Sequence, residues 1–197
     1  MDKPKQTTKK QIITIVGAPG SGKSTTAKAI AQKLGYAHFS TGDFFRKLAK
    51  QMGESDLTRA MRNDKINDEL DRLTDGKLQE INASQEKVVI DSRMGPHFIP
   101  GSFKVFLKLD LALSAQRILN DLSEHRKKIE HIPDSPEKYA ELLAERMQVD
   151  AGRYKLLYDF NPYDTANYEL VVDTATHNIE ETVALIIASY HIWLKPH

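Results

Sequence analysis

The stretch from Gly17 to Ser24, reading GAPGSGKS, constrains the fold of this chain more than any other. It matches G-x-x-x-x-G-K-[ST], the phosphate-loop pattern, which carries meaning when a strand precedes it and a helix follows. Both neighbours are present. Ile12 to Val16 is a β-branched apolar run, and Thr25 to Leu34 is an alanine-rich stretch suited to helix. Gly17, Gly20 and Gly22 admit backbone dihedrals that other residues reach only at a cost. Successive N–H groups can therefore turn toward an anion seated on the positive end of the helix. In such a loop Lys23 reaches the β- and γ-phosphates of a nucleotide and the Ser24 hydroxyl meets a magnesium ion, while Ala18, Pro19, Ser21 and Thr25 complete the cradle.

A loop of this kind needs a sheet behind it, and 197 residues suffice for one domain with a sizeable core. A hydrophobic fraction of 40% with 28% charged residues excludes disorder along the whole chain. The formal net charge of +1 gives no global pull toward nucleic acid or acidic membrane, so any anion binding must be local. With no cysteine, a disulfide framework and thiolate metal sites are excluded, and metal would come through oxygen. No apolar run approaches the length of a membrane span, and the N-terminus lacks the apolar core of a secretory signal. The expectation is a cytoplasmic protein with no membrane partner.

Residues 1–10 carry Lys3, Lys5, Lys9 and Lys10 with almost nothing apolar, and read as a flexible arm. No aromatic residue is interleaved with the lysines, which favours a solubilising tail over a nucleic-acid tether. Gly35 stops the first helix, residues 36–39 are extended, and Ser40 to Asp43 start a second helix bearing Phe44, Phe45, Leu48 and Ala49. Thr41 and Arg46 thus fall near the carboxyl end of a strand, the edge at which open α/β sheets bind ligands. Residues 54–83 are polar and helical, with Ser55 as a suitable N-cap. Their stripe of Ile66, Leu70, Leu73 and Ile81 is too sparse for a core layer, so a small helical insert lying to one side is expected.

Residues 87–91 and 103–109 read as strands, and the stretch Gly95 to Gly101 between them reads as a loop that excludes helix. Helices follow over 111–122 and 137–158, separated by the polar segment 123–136 with His125 and His131. Residues 168–173 give a last strand and 178–194 a closing helix in which Trp193 packs. Five strands alternating with helices predict a single α/β domain over 11–197, a three-layer α/β/α arrangement with a five-stranded parallel sheet.

Further residues carry chemistry. Asp91 ends the strand 87–91, where an acid beside a phosphate loop can hold magnesium through water; a turn or helix-cap aspartate is the alternative. Arg93 stands two residues on, beside the same crevice. Arg146, Asp150 and Arg153 are spaced by four and three, so all project from one helix face. They could form an intrahelical salt-bridge ladder. They could equally be aimed at phosphate, because phosphoryl transfer spreads charge that positioned cations must meet. The segment 123–136 reads either as a solvated loop or as a lid that closes over nucleotide and excludes water.

With these residues placed, the chain after its arm resembles the nucleoside monophosphate kinases of the P-loop NTPase class, and most closely the short archaeal-type cytidylate kinases. GAPGSGKST is similar to the family's ATP loop, and FSTGDFFRKLA to the segment opening its monophosphate-binding region. INDELDRL followed by VVIDSR resembles the acidic helix, strand and arginine of cytidylate kinases, and ERMQVDAGRYKLLY the arginine-rich helix after the lid. The resemblance implies a monophosphate-binding insert over about 42–85 and a lid over about 123–136. It places Thr41, Arg46 and Arg93 at the acceptor nucleotide, Arg146 and Arg153 on the phosphates and Asp150 on the acceptor ribose. Ser92 departs from the family's usual glycine before the arginine, and Met94 replaces an acid that helps hold the nucleoside in the bacterial branch. The implied activity is transfer of the γ-phosphoryl group of Mg-ATP to CMP or dCMP by a monomer acting on small molecules, with no stable nucleic-acid partner. An adenylate or other small-molecule kinase of this fold, or an inactive nucleotide-binding regulator, are the rival readings.

Overall fold

The computed structural model describes residues 8–51, 64–84, 86–122 and 132–196. The expected Ser55 cap, His125 and His131, most of the segment 123–136, and residues 1–7 of the arm lie outside the described residues.

Five parallel strands, β1 (Ile12–Gly17), β2 (Ala37–Ser40), β3 (Val88–Asp91), β4 (Phe103–Lys108) and β5 (Leu170–Asp173), form one sheet in the order β2-β3-β1-β4-β5. All six residues of β1 are buried, because the strand lies at the centre with helices over both faces. Its side chains alternate. Ile13 and Ile15 face a cluster completed by Val89, Val105 and Leu107 of the sheet, Ala27 and Ile30 of α1 (Lys23–Leu34), and Val183, Ile186 and Tyr190 of α7 (Ile179–Leu194). Burial of each large aliphatic side chain here contributes about 1.5–3 kcal/mol. Trp193 packs on Phe103 and Tyr190 at the edge of this cluster, as expected of it.

Ile12 points to the other face and meets Val88, Ile90, Ile99, Leu78 and Ile81. Leu78 and Ile81 belong to α3 (Asp64–Ala83), and Leu70 of the same helix is fully buried. The expectation that this helix is too polar for a core layer is therefore wrong. Its C-terminal half packs Leu78 and Ile81 with Ile12, Val88 and Ile90 of the sheet, and these two suffice because Ile99, Phe39 and Phe98 close the rest of that cluster. A second correction concerns Gly95 to Phe98, a one-turn helix, α4 (Gly95–Phe98). Pro96 sits in its first turn, where the N–H that proline lacks would have no helical acceptor. The buried Ser92 hydroxyl accepts the Gly95 N–H at 3.1 Å and holds the start of that turn.

The remaining elements are α2 (Thr41–Gln51), α5 (Leu111–Asp121) and the long α6 (Pro136–Tyr158). Gly35 ends α1 in the left-handed conformation (φ 66°), as its position at a helix stop requires. Ser135 caps α6 ahead of Pro136, and Asn178 with Glu181 forms a capping box on α7. The end of the lysine arm is attached to the domain. The Lys10 N–H bonds the Gly101 carbonyl at 2.8 Å, and the Lys9 ammonium lies 5.3 Å from the centre of the Trp193 ring.

Candidate active site

The sheet order brings the carboxyl ends of β1, β3 and β2 side by side, with β4 on the other flank of β1, so the chain's crossover point lies at the phosphate loop. The loop's shape follows from its glycines. Gly17, Gly20 and Gly22 have φ of 154°, 68° and 82°, in the region where glycine is favoured. Gly17 is doubly constrained, because a Cβ there would stand 2.2 Å from the Leu107 carbonyl oxygen of the adjacent strand. The loop lies against α5, whose Ser114 hydroxyl donates to the Pro19 carbonyl.

Lys23 opens α1, and its ammonium turns back to the Ala18 carbonyl at 2.8 Å. Burial pushes its pKa down to about 8; Asp91 works against that shift, while Arg93 and Arg146 add to it. Next to it the Ser24 hydroxyl donates to the Asp91 carboxylate, which is buried at the end of β3. Thr41 donates to the Asp91 main-chain carbonyl at 3.3 Å, tying the start of α2 to the same point. Among the described residues no group of three His, Cys, Asp or Glu could hold a metal ion. The Ser24 and Asp91 oxygens suit a magnesium ion that keeps water and substrate phosphates as its other ligands.

Beyond β3, Arg93 reaches α6. Its Nε donates to the Tyr163 hydroxyl at 3.1 Å and lies 3.5 Å from Asp150, and Tyr163 in turn donates to Asp150 at 3.3 Å. Burial opposes the charge on Arg93, but Tyr163 and Asp150 outweigh it, so its pKa is raised and it stays a cation. Arg153 pairs with Asp71 on α3 and stands 3.7 Å from Asp68. Among the described residues no ion pair joins Arg146, Asp150 and Arg153 to one another. The ladder within one helix is not formed, because facing segments supply the partners of Asp150 and Arg153.

Every residue expected at the acceptor end meets in one cavity of about 270 Å³. Lys23, Ser24, Thr41, Arg46, Asp91, Arg93, Arg146, Asp150 and Arg153 all line it. Arg46 is the outlier, exposed and paired with Asp43 of its own helix. A second, open cavity of about 710 Å³ flanks Gly20, Ser21, Gly22 and Thr25 on the opposite side, with Arg117, Thr174 and His177 in its wall. Arg117 donates to the Thr174 carbonyl at 2.9 Å, joining α5 to the turn after β5.

A family model described as an AAA domain matches residues 16–106. Curated proteins match over far more of the chain. A cytidylate kinase from Natronomonas pharaonis is 34% identical over 173 residues, spanning 83% of this chain and 81% of the relative. Another from Methanocella arvoryzae is 32% identical over 179 residues, spanning 89% and 94%. The chain belongs to the cytidylate kinase family. Its fold is that of other small kinases as well: a shikimate kinase from Acinetobacter baumannii, solved in complex with shikimate, superposes with a TM-score of 0.59 at 15% identity, covering 94% of this chain and 95% of that one.

In this cytidylate kinase family member several lining residues escape a sequence reading. Phe45, Asp71, Asp75, Tyr154 and Tyr158 line the acceptor cavity, and Tyr163 bridges Arg93 to Asp150. A signal existed for some. Asp68, Asp71 and Asp75 recur at helical spacing on α3, as Asp150, Arg153, Tyr154 and Tyr158 do on α6. Nothing local shows that these two faces meet. Tyr158 is held by packing on His97 and Phe98 of α4 and donates to Asp75 at 2.6 Å.

Proposed function

We propose that the chain transfers the γ-phosphoryl group of Mg-ATP to CMP, and also to dCMP, giving ADP and CDP or dCDP. The observation that carries this reading is the single cavity running from the phosphate loop to α6, with Lys23, Arg93 and Arg146 gathered at one end. Its family supplies the acceptor's name.

ATP lies with its phosphates along Gly17 to Thr25 and its base toward the cavity of Arg117 and Thr174. Lys23 binds the β- and γ-phosphates, and Ser24 and Asp91 hold magnesium, which neutralises phosphate charge when bound. Thr41 and Arg46 flank the acceptor. Its phosphate meets Arg93 and Arg146, Asp150 takes the ribose, and Arg153 completes the acceptor wall. The acceptor phosphate is already an anion at neutral pH, so no strong general base is needed. One of its oxygens bonds the γ-phosphorus as the bridge to the β-phosphate breaks, and the positioned cations offset repulsion between the two nucleotides.

The experiment is ADP formation from Mg-ATP with CMP, dCMP, UMP, AMP and GMP in parallel, beside a control without acceptor. Preference for CMP and dCMP is the expected result. Preference for AMP keeps the transfer and overturns the acceptor, and binding of ATP without acceptor-dependent turnover overturns the enzyme.

A further inference from the structure

Lys23, Arg93 and Arg146 stand together at the phosphate-loop end of the acceptor cavity, with Asp91 and Asp150 among them, and α3 adds the carboxylates Asp71 and Asp75 to the lining. A monophosphate must place its anion at that end and its base against the α3 carboxylates. We infer that Asp71, set beside Arg153, reads the amino edge of the acceptor base and is the residue by which this chain prefers cytosine to uracil. This rests on the proposed acceptor site and deepens it.

Two atoms of this pair are left free among the described residues. Asp71 meets Arg153 through Oδ2 and one terminal guanidinium nitrogen, a single-point contact rather than a two-pronged one. Its Oδ1 makes no hydrogen bond among the described residues, nor does Arg153 Nε. The two side chains, 21% and 30% exposed, therefore present an acceptor and a donor side by side into the cavity. Cytosine offers the complement, an N4 amino donor next to the N3 acceptor, and a carboxylate is the side chain suited to N4. Uracil reverses both positions. Its O4 faces Asp71 acceptor to acceptor, and its N3–H faces the Arg153 donor, so two half-buried polar groups stay unpaired. Phe45 lines the same cavity and has no aromatic partner among the described residues, which leaves a ring available to the face of the base. Met94, whose side chain packs with the core residues Ile90 and Ile99, adds no polar group that could do the reading instead. Asp75 is engaged by the Tyr158 hydroxyl and supports the wall.

The test measures dissociation constants for CMP and UMP without ATP, and kcat/KM for both with Mg-ATP, in the wild-type protein and in Asp71→Asn. The asparagine amide can turn its N–H2 toward O4, so the preference for CMP over UMP should contract roughly ten- to hundredfold, in binding as well as in kcat/KM. Losses of equal proportion for the two nucleotides would show that Asp71 only supports Arg153, and would overturn the inference. So would an unchanged ratio, or a wild-type protein with no preference. A wild-type protein that binds and phosphorylates no monophosphate overturns the proposed function itself, and is recognised before any variant is compared. Thermal unfolding of each variant establishes that it is folded, and Asp71→Ser, which removes the carboxylate at smaller volume, is read in the same way.

Discussion

Arg93 and Asp150 lie 3.5 Å apart and share one hydroxyl, that of Tyr163, which accepts from the arginine and donates to the carboxylate. The first residue follows β3 and the second belongs to α6, so this contact ties the long helix to the end of that strand. Replacing Tyr163 with Phe leaves both charges in place and removes the bridge. The expected cost is about 1 kcal/mol, read as a lower unfolding midpoint and about a fivefold higher KM for the acceptor. Unchanged acceptor kinetics would mean that the ion pair holds its geometry unaided.

Two glycines with positive φ predict opposite extremes. At Gly17 an added Cβ meets the Leu107 carbonyl of β4 at 2.2 Å, and backbone on both sides of that contact is fixed by the sheet. Gly17→Ala should cost several kcal/mol, on the order of 4, and leave little soluble protein. At Gly35 nothing lies within 4 Å, so Gly35→Ala carries only the left-handed penalty of about 1 kcal/mol. Chemical denaturation of both variants checks the contrast, and a mild Gly17→Ala would mean that β1 and β4 can part at their ends.

The strand, loop and first helix were legible because each rests on local chemistry: a β-branched run, glycines at the turns and an alanine-rich stretch. Asp91 was legible for the same reason, as an acid closing an apolar strand. Tyr163, Asp71 and Tyr158 were not, since each acts only where distant segments meet. The misread parts have physical causes. Pro96 excludes a helix interior but not a first turn, and a sparse apolar stripe on α3 still joins the core because Leu78 and Ile81 in its C-terminal half are enough to meet the sheet. Arg146, Asp150 and Arg153 show the limit from the other side. Their spacing predicts a shared face, and only the partners on β3's turn and α3 separate a site from a ladder.

Lys23→Met tests the loop's cation. Turnover should fall about 100- to 1000-fold, the loss typical of one positioned charge-stabilising group, with no drop in thermal stability because a methionine fills the half-buried site without a charge. Near-normal turnover would remove Lys23 from the mechanism.

The same lysine predicts a pH dependence. In the free protein its pKa is lowered by burial to about 8, so the ammonium is present below that value and lost as the pH rises through it. The kcat/KM for ATP, which reports the free protein, should be level below pH 8 and decline above it. Bound phosphates favour the charged form and raise the pKa, so the decline in kcat should begin at higher pH. Coincident profiles for kcat and kcat/KM would show that another group governs the alkaline side.

Arg153→Ala separates the acceptor wall from mere helix packing. Burial already raises the Asp71 pKa against the lowering effect of Arg153, and the neighbouring Asp68 and Asp150 add to that rise. Without the arginine the carboxylate loses its partner, and the variant should lose about 1–2 kcal/mol at neutral pH. A raised carboxyl pKa favours the folded state most below the unfolded value, so the deficit should narrow as the pH falls toward the ordinary carboxylate range. The double variant Asp71→Ala with Arg153→Ala should recover part of the stability, giving a coupling of about 1 kcal/mol in a double-mutant cycle. Acceptor kcat/KM should stay low in the double variant, because the groups facing the base are gone. Recovery of activity along with stability would make the pair a clamp between α3 and α6 and nothing more.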